Sequence, residues 1–215
     1  LSKRRKSDYG NLLKSSKKKE KKIDNFKNYL DSAQFYKKKD IDKSISFIES
    51  ILKNNPSTQR TATSYTTLAD IYVYWKQYDL AVENYKLSLN LNDKVDTRIL
   101  LAKTQLLTKE FKESERNFIK VLSQKLTNYQ KITANQGLGE VYVLQNKYGE
   151  AKTSFSTALQ IGKENLVTPK ITDLNSKLAE VYALEGNEKE ADKYFQNSLE
   201  LASKENIKRS LKEQD

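Results

Sequence analysis

Residues 62 to 94, ATSYTTLADIYVYWKQYDLAVENYKLSLNLNDK, repeat apolar and small positions at intervals of three and four on both sides of Lys76 and Gln77. That period is helical. Tyr65, Leu68, Ala69 and Tyr72 share one face before the break, and Tyr78, Ala81, Val82, Tyr85, Ser88 and Leu89 share another after it. The spacing predicts two amphipathic helices joined by a tight turn, each with an apolar stripe it cannot cover alone. A unit of this size with one bare flank has to stack on others of its kind.

Self-similarity bears on that directly. Ser44, Ala81, Ser114, Ala151 and Ala191 align as the small residue of a second helix, and Ser32, Ala69, Ala102, Gly139 and Ala179 as its counterpart in the first. Four residues beyond the second-helix position stands a large apolar side chain, Ile48, Tyr85, Phe118, Phe155 or Phe195. Eight beyond it stands a leucine: Leu52, Leu89, Leu122, Leu159 or Leu199. Small residues let two backbones approach, and the large one fills the hole opposite.

On these residues the chain resembles the tetratricopeptide repeat family. The pattern stands as Leu68, Ala69, Tyr72, Ala81, Tyr85 and Ser88, again as Leu138, Gly139, Tyr142, Ala151, Phe155 and Ala158, and again as Leu178, Ala179, Tyr182, Ala191, Phe195 and Ser198. Two copies depart from it, with Gln105 and Ser114 in one, and Asp31 in the other, which keeps the closing Pro56. The resemblance implies an all-α, right-handed superhelical α-solenoid of about five helical hairpins, residues 25–58, 62–94, 95–128, 132–165 and 172–205. Residues 206–215 are expected to cap the array, with Ile207 and Leu211 four apart on an otherwise charged helix.

Steps of 37, 33, 37 and 40 residues separate the equivalent positions. Longer helices are expected at 59–61 and 129–131, and a loop at 166–171, where Pro169 stands. Helices are expected near 26–39 and 42–54 in the first hairpin and near 60–75 and 78–91 in the second. Trp75, the sole tryptophan, falls at the turn and is expected to pack into the corner between helices.

Composition narrows the chemistry. The chain has neither cysteine nor histidine, which removes disulfides, thiolate nucleophiles, the ordinary zinc sites and imidazole acid-base catalysis. No phosphate-cradling glycine motif, calcium loop or nucleophile setting is visible, so the reading is non-enzymatic, with no cofactor, metal or small-molecule substrate. No apolar run approaches membrane-spanning length and no signal-peptide pattern is seen. Beginning with Leu1 and lacking methionine, the chain is expected to be a processed or truncated form, which leaves room for a removed signal or anchor. A cytoplasmic or membrane-associated location is expected, and an extracytoplasmic one stays open.

The net charge of +11 is uneven, because residues 1 to 24 hold ten Lys or Arg against three acids. Lys3, Arg4, Arg5 and Lys6 form one cluster; Lys17, Lys18, Lys19, Lys21 and Lys22 form another. With little to bury, this segment reads as an arm. A solvated tail, contact with anionic lipid, contact with nucleic acid or an acidic partner, and a nuclear-import signal all remain open for it, lipid ranking first among the uses of its charge.

In the family this chain resembles, first helices line a concave groove that holds a peptide or a partner helix. By register, that groove would take Asp70, Val73 and Tyr74 from the second hairpin, and Ile99, Lys103 and Leu106 from the third. The fourth would give Gln136, Glu140 and Val143, and the fifth Glu180. Tyr36 would start an apolar stripe continued by Val73, Leu106 and Val143; Asp70, Glu140 and Glu180 would flank it, opposed only by Lys103. That pattern calls for a ligand with apolar anchors and some positive charge. The Lys and Asn clamp of chaperone-binding members is missing, with Tyr29 and Ala33, or Thr66 and Asp70, at the matching positions. The expectation is an adaptor that binds a protein partner in the groove, with the arm as a tether to a membrane or acidic surface. Two alternatives stay open: a structural subunit using the convex face or edges, and a nucleic-acid binder acting through the arm.

Overall fold

A computed structural model describes residues 25–54 and 56–212, and among them every regular element is a helix. Side chains are described except at 168, 169 and 205–212. The arm lies outside the described residues, and none of the described helices is long and apolar enough to cross a membrane. The described chain divides into two compact units, one ending at Asp93 and the other beginning at Lys94.

The first unit holds α1 (25–36), α2 (Ile41–Lys53), α3 (Thr58–Tyr74) and α4 (Tyr78–Leu91). Asp40 caps α2, its carboxylate accepting from the Lys43 amide at 2.9 Å. Ala33, Ile48, Ile51, Leu68 and Ile71 form a buried core. The small residue of α1 is Ala33 rather than Ser32: Ala33 is buried, and its carbonyl accepts the Ser44 hydroxyl at 2.7 Å. The turn explains the one-residue shift, since the Asp40 amide reaches back four residues to the Tyr36 carbonyl.

In the other four hairpins the corresponding amide reaches back five residues, Gln77 to Tyr72, Glu110 to Gln105, Lys147 to Tyr142 and Asn187 to Tyr182. Each of those turns passes through a left-handed residue, respectively Lys76, Lys109, Asn146 and Gly186, with φ between 59° and 75°. This is the helix-ending bond that satisfies carbonyls left over in the last turn. Trp75, expected to pack into the corner between its helices, is instead 38% exposed and donates from Nε1 to the Lys37 carbonyl in the turn of the preceding hairpin at 2.8 Å.

The second unit holds α5 (Val95–Leu107), α6 (Phe111–Leu122), α7 (Asn128–Leu144), α8 (Tyr148–Glu164), α9 (Thr168–Leu184) and α10 (Glu188–Lys212). Residues 59–61 lie in α3 and 129–131 in α7, the latter opened by a reciprocal cap between Thr127 and Gln130. The loop expected at 166–171 is absent. Pro169 stands in the first turn of α9, where a missing N–H costs nothing, and only Asn165 to Val167 are non-helical. Leu166 there adopts φ 53°, and the Val167 amide closes the same five-residue bond onto the Gly162 carbonyl. Residues 206–212 continue α10 without a break.

Two cores run through this unit, one around Phe118 and Leu138, the other around Phe155, Leu174 and Leu178. Glycine is required where α7 crosses the rings. A Cβ on Gly137 would lie 2.2 Å from the tip of Phe118, and one on Gly139 2.6 Å from the Phe155 ring. Gln105, at the tyrosine position, is buried in a polar chain: it accepts from Asn117 at 2.8 Å, and Asn117 accepts from Arg98 at 2.9 Å.

Two substitutions test these constraints by urea denaturation. Leu166→Gly relieves a left-handed leucine and should raise stability by up to about 1 kcal/mol, while a loss would contradict the turn. Gly137→Ala should cost about 1–3 kcal/mol, because Phe118 is wholly buried and has nowhere to move.

Candidate groove on the first helices of the second unit

α5, α7 and α9 are the first helices of the three hairpins in this unit, and they pack side by side. Their shared face carries a pocket of about 440 Å³, lined by Lys103, Leu106 and Leu107 from α5, Gln136, Gly137, Glu140, Val143 and Leu144 from α7, and Lys177 and Glu180 from α9. Phe155 from α8 reaches it from behind. Of the expected groove residues, Lys103, Leu106, Gln136, Glu140, Val143 and Glu180 are thus brought together. Ile99 is buried in the Phe118 core and lines an adjoining pocket of about 230 Å³ that shares Lys103.

The charges are not arranged as the register suggests. Lys177 lies between the two acids, its Nζ 3.9 Å from Glu140 Oε1 and 3.8 Å from Glu180 Oε2. Gln136 donates to Asp173 at 2.8 Å and accepts from Lys170 at 3.2 Å. Lys103 is therefore not the sole base facing the acids, and the carboxylates do not wait for a cation from outside. Lys103 is exposed as a residue, yet its ammonium is held below the ordinary lysine value. The protein that displaces water around it is the main cause and the like charge of Lys170 the second, with Glu140 and Asp173 pulling the other way.

The residues that register reasoning passed over are Leu107, Leu144 and Lys177. Leu107 and Leu144 are each 53% exposed and stand on α5 and α7 where Tyr74 stands on α3; Leu184 holds the same place on α9 at 51%. Tyr74 is among the residues that register places in the groove, and the same count finds Leu107, Leu144 and Leu184. Lys177 carries no such signal, because its pairing with Glu140 depends on how α7 and α9 pack.

A tetratricopeptide repeat family model matches residues 62–94 and 172–205, the hairpins α3–α4 and α9–α10. Those two hairpins are tetratricopeptide repeats. No curated protein matches it by sequence. Among solved structures it is similar to MamA, at 20% identity and a TM-score of 0.68 over 85% of this chain and 94% of that one. A putative kinesin light chain from Podosopora anserina, with nearly identical TPR-like repeats, matches at 16% identity and a TM-score of 0.72, over 84% of this chain and 96% of that one. The apo form of RapI matches at 18% identity and a TM-score of 0.75, over 91% of this chain and 60% of that one. At such identities the likeness is one of fold.

In the first unit the assigned residues are placed differently. Tyr36, once the register is counted from Ala33, falls at the tyrosine position of Tyr72, and its ring stacks on Phe47 at 5.8 Å. It belongs to the hairpin seam and does not begin a stripe with Val73, which is half-buried on α3. Tyr74 is exposed and sits edge-on to Trp75. Asp70 is engaged within its own repeat, accepting the Tyr85 hydroxyl. Burial pushes the Asp70 carboxyl up, against the pull of that hydroxyl and of Lys37.

Tyr85→Phe should therefore cost about 1–3 kcal/mol at neutral pH, since it leaves a half-buried carboxylate without its donor. Chemical denaturation of the variant beside the parent reads this, and a change below about 0.5 kcal/mol would mean the bond contributes little.

Proposed function

We propose that this protein is a non-enzymatic adaptor that holds a segment of a protein partner against the first helices of its second unit. Tetratricopeptide repeats are protein-interaction scaffolds as a family, and that much comes with the fold. What supports a groove on α5, α7 and α9 is one observation: six residues chosen by register meet around a single pocket that also exposes Leu107 and Leu144. Solvent-facing aliphatic side chains in a row are a cost to a free protein and a contact surface to a bound one. The arm plays no part in this reading, and its use as a tether is a separate question.

Site-specific photo-crosslinking in the source cell tests it, with the crosslinker at position 107 or 144 and, as control, at exposed Thr157 on α8 outside the pocket. Partner adducts are expected from 107 and 144 and not from 157, and they should persist when residues 1–24 are removed. Leu107→Glu with Leu144→Glu should weaken capture by at least about tenfold, equivalent to about 1.4 kcal/mol. Equal adducts from 157 would favour a subunit that uses its outer face. Loss of adducts with the arm would favour recognition through charge.

A further inference from the structure

We infer that the pocket of about 230 Å³ between α5 and α7 is a site for a small aromatic monocarboxylate, its anion held by Lys103 and Thr133 and its ring laid against Tyr129. The site shares only Lys103 with the partner groove, and it does not need that groove to hold a protein.

Two polar groups of this pocket are unspent. Lys103 lines both pockets, yet among the described residues it makes no hydrogen bond or close ion pair. The carboxylates around it are engaged elsewhere: Asp96 accepts from Gln130 at 2.7 Å, Asp173 accepts from Gln136 at 2.8 Å, and Glu140 faces Lys177 at 3.9 Å. Thr133 is 6% exposed, and its hydroxyl has no partner. A buried hydroxyl left unpaired is costly, and an acceptor brought to it removes that cost.

These two groups set the charge of the occupant. A carboxylate gives Lys103 one negative charge and keeps a second oxygen to accept from Thr133. Lost water and the like charge of Lys170 hold the Lys103 ammonium below the ordinary lysine value, and an anion alongside relieves the repulsion. Glu140 and Asp173 act against an anion, but each already has its own donor. A phosphate monoester, with about two charges at neutral pH, exceeds the one unspent cation.

The walls set its body. Tyr129 presents a ring that is 60% exposed, and Ile99 and Leu100 supply aliphatic surface. A flat apolar group set against them sheds water and packs ring on ring. The space lies below the about 300 Å³ at which pockets for drug-sized ligands begin, so it suits a single ring.

Isothermal titration calorimetry of the full chain with benzoate, benzamide and benzylamine tests this. Benzoate should saturate a single site, with benzamide and benzylamine at least about tenfold weaker. Lys103→Met should weaken benzoate by about tenfold or more, Lys103→Arg should restore most of the affinity, and Thr133→Val should cost about threefold or more. Circular dichroism checks that each variant is folded, and Lys103, being exposed, can be replaced without opening the core. The Leu107→Glu, Leu144→Glu variant should bind benzoate as the parent does, so that failure of the groove and failure of this site read separately. The site would be overturned by an absence of saturable benzoate binding, by benzamide binding as tightly, or by unchanged affinity in folded Lys103→Met or Thr133→Val. A short peptide whose terminal carboxylate displaces benzoate and binds more than about tenfold tighter would overturn the small-molecule class.

Discussion

Each hairpin depends on two backbones coming close at a small residue. Where the second helix offers serine, the hydroxyl does not stay idle: Ser44 and Ser114 each donate to the carbonyl of the facing small residue, Ala33 and Ala102, at 2.7 Å. Where the first helix offers glycine, the contact is tighter still, and Phe155 occupies the volume a Cβ on Gly139 would need. Closing that gap buries the large apolar side chain four residues on. Tyr85, Phe118 and Phe155 are each essentially inaccessible, and burial of such a side chain is worth about 1.5–3 kcal/mol. Phe195, at the same register in α10, is 50% exposed, because among the described residues no further hairpin follows to cover it.

Variation is tolerated where the close approach is kept. The third hairpin replaces the tyrosine of the pattern by Gln105 and answers it with Asn117, whose amide is in turn held by Arg98. The first and fifth hairpins fill the equivalent space with stacked rings, Tyr36 on Phe47 and Tyr182 on Tyr194. Ring stacking and a satisfied polar chain are interchangeable there because both leave no buried group unpaired.

The same packing that builds the hairpins decides the character of the groove. Setting α7 against α9 brings Lys177 beside Glu140, 37 residues away in the chain, while Glu180 stands three residues along its own helix. Toward solvent this leaves Leu107 and Leu144 beside Lys103 and Glu180.

The sequence by itself determined the hairpins and the faces they bury, because a helical period and a small residue at fixed spacing are local signals. It located Lys103, Leu106, Gln136, Glu140, Val143 and Glu180 on one side for the same reason. Adjacent Ser32 and Ala33 are both small, so only the shorter turn at Asp40 could say which faces Ser44, and with that Tyr36 moved to the seam. Pro169 is compatible with a loop or with a helix start, and the packing of α9 on α8 chose the latter. The Tyr85 bond to Asp70 and the Lys177 contact with Glu140 belong to the tertiary structure alone, since each joins side chains whose meeting depends on how one helix lies against the next.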